Sequence, residues 1–136
     1  MSDLKPTLSK KSKYYIEKHR YYELKHFCLQ YPIWQKAYTA IDGLIKRPYD
    51  LEKFKPDIEE PTAWAAIART NYRNKMELVE QAAIATDSEL YKYILVGVTE
   101  ERTYDQIKAR LEIPCSRETY YDRYRKFFYI LNKTRE

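Results

Sequence analysis

Glycine is nearly missing from this chain: Gly43 and Gly97 are the only two in 136 residues. A chain so poor in glycine has no Walker-type phosphate loop and no dinucleotide fingerprint, and none can be traced. Cysteine is equally scarce. Cys28 and Cys115 give no disulfide framework, and neither a signal peptide nor an apolar run of membrane-spanning length is visible. The expectation is a cytoplasmic protein with reduced thiols. No internal repeat, low-complexity run or nucleophile–base arrangement can be read, so no catalytic residue is assigned and the chain reads as a non-enzyme.

What is abundant is tyrosine, fifteen residues. Tyrosine buries a ring while its hydroxyl stays hydrogen-bonded or wet, which suits thick, half-polar contact faces. Apolar residues recur at helical spacing through most of the sequence, and the fold class expected is all-α, a helical bundle. The formal net charge is +5. Residues 1–26 hold seven Lys/Arg against three acids and residues 100–136 nine against seven, with the middle near neutral. Two basic ends fit contact with a polyanion.

The last third carries the clearest pattern. Thr103 and Gln106 form a T-x-x-Q capping box, and Tyr104, Ile107 and Leu111 make one apolar stripe. Pro114 stops that helix near Leu111. Ser116 then caps a longer helix whose buried stripe is Tyr120, Tyr124, Phe127 and Leu131. A short capped helix, a tight turn and a second helix with a basic leading end is a helix-turn-helix pattern, spanning 103–131.

Upstream, residues 1–12 read as a basic flexible arm. Residues 13–44 read as an N-terminal helical hairpin broken at Tyr31-Pro32, with Gly43 closing its second helix. On its first helix Ile16, Arg20, Tyr21, Leu24, Phe27, Cys28 and Tyr31 face inward, and Glu17, Lys18, Glu23 and Lys25 face out. The segment 45–61, with Pro48, Pro56 and Pro61, is a connection. A helical domain fills 62–136. It opens with the longest helix, which serves as a central strut or, by its spare face, as a homodimer seam. Asp87 or Ser88 then caps a buried helix from Glu89 to about Thr99, carrying Leu90, Ile94 and Val98.

In a helix-turn-helix the second helix enters the major groove and the first bridges phosphates. Ser116, Arg117, Tyr121 and Arg125 are the candidates to face double-stranded DNA, and Arg117 or Arg125 suits guanine O6/N7, each such contact worth roughly 1–3 kcal/mol of discrimination. Glu118 can accept from cytosine N4 or repel the backbone, and Asp122 shares that outer face. Lys108, Arg110, Arg123 and Lys126 would reach phosphates and make affinity fall with salt.

These same residues carry a family likeness. Leu90 to Leu131, above all the run Ile113-Pro-Cys-Ser-Arg-Glu-Thr-Tyr-Tyr-Asp-Arg-Tyr-Arg-Lys-Phe-Phe-Tyr-Ile-Leu, resembles the C-terminal part of RinA/ArpU-like regulators encoded by phages and prophages of Gram-positive bacteria. That part is similar to region 4 of bacterial sigma factors. The front stretch from Lys18 to Trp34 resembles the N-terminal part of small phage-type proteins. The resemblance implies a DNA-binding regulator of phage gene transcription, acting in the cytoplasm of the host bacterial cell. The alternative function is a non-catalytic phage-borne module that binds a host complex such as RNA polymerase or a CRISPR effector, to which the tyrosine excess and mixed charge point.

Metal and cofactor sites are not expected. His19, His26 and Cys28 match no zinc spacing. The carboxylate pairs Glu59-Glu60, Glu77 with Glu80 and Glu100-Glu101 each read as a helix end or a polar face. Aromatics among the lysines of 13–25 could stack on single strands, but tyrosine at helical spacing reads as core.

Overall fold

The computed structural model describes residues 12–54 and 59–135. Most of the basic arm and part of the 45–61 connection lie outside those residues. Among the described residues there are seven helices and no strand: α1 (Lys18–Leu29), α2 (Tyr31–Ile45), α3 (Pro48–Phe54), α4 (Pro61–Thr86), α5 (Tyr91–Glu100), α6 (Tyr104–Leu111) and α7 (Arg117–Thr134). The fold is an all-α bundle. None of the described helices is long and apolar enough to cross a membrane.

The chain divides into two compact units, one of residues 1–30 and 78–136, the other of residues 31–77. This replaces the expected 13–44 hairpin. α1 packs with α5 and α7, while α2 belongs to the second unit. The break falls between Gln30 and Tyr31, where Gln30 caps α1 and α2 starts at once, with Pro32 in its first turn.

The first unit has an aromatic core. Tyr120, Phe127, Phe128 and Leu131 of α7 are completely buried, together with Leu24 and Cys28 of α1 and Ile94 of α5. Burial also pushes the Cys28 thiol well above its ordinary pKa. The Tyr21 and Tyr124 hydroxyls meet at 3.0 Å, so two buried phenols satisfy each other. Tyr21 also meets the Phe128 ring edge-on at 5.1 Å, and Arg20 Nε donates to Asn132 Oδ1 at 2.6 Å.

Two expectations for α1 change. The helix begins at Lys18 and not at residue 13, because Ser12 folds a turn that accepts from Tyr14 N, and Glu17 caps by accepting from His19 N and Arg20 N. Lys25 is buried, 9% exposed, and not on the outer face. Its stem packs inward while its ammonium reaches the Glu101 carboxylate at 3.3 Å.

The second unit is smaller. Ile41, Leu51 and Ala65 form its buried centre, flanked by Leu44, Ile45, Trp64, Ala68 and Tyr72. Asp42 ties α2 to α4 by accepting from Arg69 at 2.7 Å, with Lys46 at 3.2 Å on its other oxygen. Those bonds, Arg69 first, hold its carboxyl below the usual range. Two more expectations fall here. Gly43 lies inside α2, which runs on to Ile45, and no glycine has positive φ among the described residues. The 45–61 connection also contains α3, started by Pro48 in a first helical turn and anchored by buried Leu51.

Candidate nucleic-acid interface

The helix-turn-helix forms from the local signals read in 103–116. Thr103 accepts from Gln106 N at 3.2 Å, and Gln106 Oε1 accepts from Thr103 N at 2.9 Å. Ser116 accepts from Thr119 N at 3.2 Å and donates to Thr119 Oγ1 at 3.1 Å. Between them Glu112 takes φ 52°, the left-handed conformation that ends α6 and turns the chain without a glycine. Asp87, upstream, accepts from both Glu89 N and Leu90 N at 2.9 Å and sets the entry to α5.

Three contacts then fix α6 against the turn and α7. The Tyr104 hydroxyl donates to Cys115 O. Tyr104 N donates to the Tyr121 hydroxyl at 3.1 Å. Arg117 Nη2 reaches both oxygens of Asp105 at 2.6 Å, with the guanidinium 5.6 Å from the centre of the Tyr104 ring. The hydrogen bond to Asp105 raises the Arg117 pKa further above its ordinary value, so the side chain is a permanent cation.

Tyr121 was expected on the DNA-facing side and is instead buried, 6% exposed. The reason is that α7 packs against α1, α5 and α6 together. A helix with three neighbours buries a wide arc, and here that arc takes in Tyr121 and Phe128 beside the expected stripe. Its hydroxyl serves the start of α6, so it cannot reach a base edge. The stripe on α6 is correspondingly short. Tyr104 and Ile107 are buried, but Leu111 is 47% exposed.

The remaining candidates separate by how their charge is matched. Arg123 donates from Nε to Asp87 at 3.0 Å and from Nη1 to Asp122. The Asp87 bond comes first among the causes that raise its pKa. It is a brace between α7 and the α4–α5 turn, its charge balanced locally, and Asp122 is taken up in the same group. Lys108 and Arg110 on α6 are exposed, and Arg125 and Lys126 on α7 are half-buried. None of these four has an acidic partner among the described residues. Ser116, Arg117 and Glu118 stand exposed at the leading end of α7. Asp105 is the one member of this group that the sequence pattern did not assign. It lies twelve residues from Arg117, and only the angle between the two helices brings them together.

His19, His26 and Cys28 do not come together either: Cys28 is buried in the core, while both histidines are exposed. Among the described residues no group of three His, Cys, Asp or Glu is placed to hold a metal ion. Comparisons with protein-family models, curated proteins and solved structures give no match to this chain.

Proposed function

We propose that α6 and α7 bind double-stranded DNA, with α7 entering the major groove, and that the protein regulates transcription of phage or prophage genes. The observation that carries this reading is the set of unmatched cations, Lys108, Arg110, Arg125 and Lys126, on a capped two-helix unit with an exposed leading end. Such a unit brings base-reading side chains to the N-terminal part of its second helix and phosphate-binding cations to its flanks. Arg125 is the first choice for a base contact, because no carboxylate holds it. Arg117 remains a candidate in spite of Asp105. The carboxylate engages Nη2 alone, so Nε and Nη1 keep free donors, and the pair fixes the direction in which they point. Resemblance of 90–131 to sigma region 4-like regulators supports the same assignment.

The test is a mobility shift and footprint with DNA from beside the gene, at two salt concentrations. Arg117→Ala combined with Arg125→Ala is expected to weaken binding at least tenfold. Wild-type affinity should fall with salt in proportion to the phosphates contacted. Unchanged affinity in the double variant would place the binding face elsewhere.

A second reading rests on a separate observation: Arg117 and Arg123 already face Asp105, Asp87 and Asp122, and Glu118 is exposed beside them. Such mixed charge suits a protein surface, as in an adaptor or inhibitor of a host complex such as RNA polymerase or a CRISPR effector. A stable partner retained after nuclease treatment would favour it. Complete loss of the partner on nuclease treatment would count against it.

A further inference from the structure

A cleft of about 200 Å³ lies on the same unit, between the end of α5 and α6. Val96 and Ile107 line it, and Leu111 lies half open at its edge. The other lining residues are chiefly donors. The Arg102 Nε is buried and has no hydrogen-bond partner. The closest carboxylate oxygen paired with it, Glu100 Oε1, is 3.7 Å away, beyond hydrogen-bond range. Arg110 has no acidic partner among the described residues. Gln106 spends its carbonyl oxygen on Thr103 N, which leaves its amide hydrogens to point elsewhere. A buried N–H with no acceptor is costly, and its partner in a working site is commonly a ligand or water.

We propose that this cleft binds a small monocarboxylic acid with an apolar tail. Arg102 and Arg110 hold the carboxylate, with the Gln106 amide assisting, and Val96, Ile107 and Leu111 cover the tail. The chemistry follows from the lining. Two guanidinium groups and an amide donor select an anion, and an apolar wall excludes one that is hydrated on every side, such as inorganic phosphate. Size narrows it further. The cleft is below the roughly 300–1,000 Å³ of sites for drug-sized molecules. Glu100 is the resident competitor, its carboxylate standing beside the guanidinium that the ligand would use.

Hexanoate is the probe, titrated into the whole protein and followed by the backbone amide signals of Val96, Ile107 and Leu111. Saturable shifts confined to α5 and α6 are expected, with hexanol and hexylamine binding at least tenfold more weakly. Arg110→Gln, at an exposed position, should weaken hexanoate at least fivefold. Glu100→Gln should tighten it at least twofold, a gain that a merely structural role for Glu100 would not produce. Equal binding of hexanol and hexanoate, shifts centred elsewhere, or weaker binding in Glu100→Gln would overturn the assignment. So would tighter binding of the peptide acetyl-Gly-Gly-Leu, which would make the ligand a chain terminus. The titration contains no DNA, so its outcome is separate from that of the mobility shift.

Discussion

At the scale of single residues, Gly97 and Tyr120 define how closely α5 and α7 approach. A Cβ on Gly97 would fall 2.0 Å from the Tyr120 hydroxyl oxygen and 3.3 Å from its Cζ. Alanine inside a helix is ordinarily about 1 kcal/mol better than glycine. Here the clash is with a buried ring that has nowhere to turn, and overpacking of that kind typically costs about 1–3 kcal/mol. Gly97→Ala is therefore expected to lower stability. The Tyr120 hydroxyl is itself buried without a hydrogen-bond partner, and burial raises its pKa, so it stays neutral. Tyr120→Phe removes that desolvated group and should hold or raise stability, by up to about 1 kcal/mol. In the double variant the loss from Gly97→Ala should shrink, because the obstructing atom is gone. A urea-denaturation double-mutant cycle measures this, and additive effects would contradict the geometry. Glu112 offers a simpler case. It is exposed and held at φ 52°, where a side chain costs about 1–2 kcal/mol, so Glu112→Gly should raise the unfolding midpoint. Glu101 shares the conformation at φ 56° but faces Lys25, so the same change there should gain less.

At the scale of elements, the starts of α6 and α7 were legible because their signals are local. Thr103 with Gln106, and Ser116 after Pro114, act within three residues of themselves. Lys25, Tyr121 and Leu111 were misplaced for the opposite reason. Whether each is buried depends on how many helices surround its own, which periodicity along one helix does not contain. α3 was hidden because Pro48, Pro56 and Pro61 together were read as the mark of a connection, whereas Pro48 serves as a first-turn residue. The Arg117–Asp105 pair, and the braces on Tyr104, were equally out of reach of spacing rules. Asp87 gives a prediction at this level, since it joins the α4–α5 turn to α7. Burial disfavours its charge, but the Leu90 and Glu89 amides and Arg123 outweigh that, and its pKa sits below the ordinary carboxylate value. A carboxyl depressed in the folded state stabilises it fully above the unfolded value of about 4, and the contribution is lost as pH falls through the lower folded value. Asp87→Asn should thus destabilise the protein at neutral pH and flatten the decline of stability below about pH 4. Urea midpoints measured from pH 7 down to the acid limb would show it; parallel curves for the two proteins would mean that Asp87 is not linked to folding.

On the scale of the whole molecule, the two compact units differ in what holds them. Residues 1–30 and 78–136 enclose a run of buried rings, Tyr21, Tyr120, Tyr124, Phe127 and Phe128, with the Tyr21 and Tyr124 hydroxyls paired. Residues 31–77 rely on Ile41, Leu51 and Ala65 with half-buried neighbours, on the buried Tyr31 and Trp34 of α2, and on the Asp42–Arg69 pair. Five buried rings, packed with the aliphatic side chains of α1, α5 and α7, remove more apolar surface from water than the two rings and three small aliphatic side chains of the second set. Local opening draws first on the regions with fewest buried contacts. Amides of α2 and α3 should therefore exchange with solvent hydrogen sooner than those of α7. Leu51→Ala sharpens the comparison. The side chain is 1% exposed, and truncation of such a leucine costs about 2–5 kcal/mol, a large share of what so small a core can supply. Hydrogen exchange on the variant should then show protection lost in α2, α3 and the first turns of α4, with α7 protection retained. Equal loss in α7 would mean that both units open in a single cooperative step.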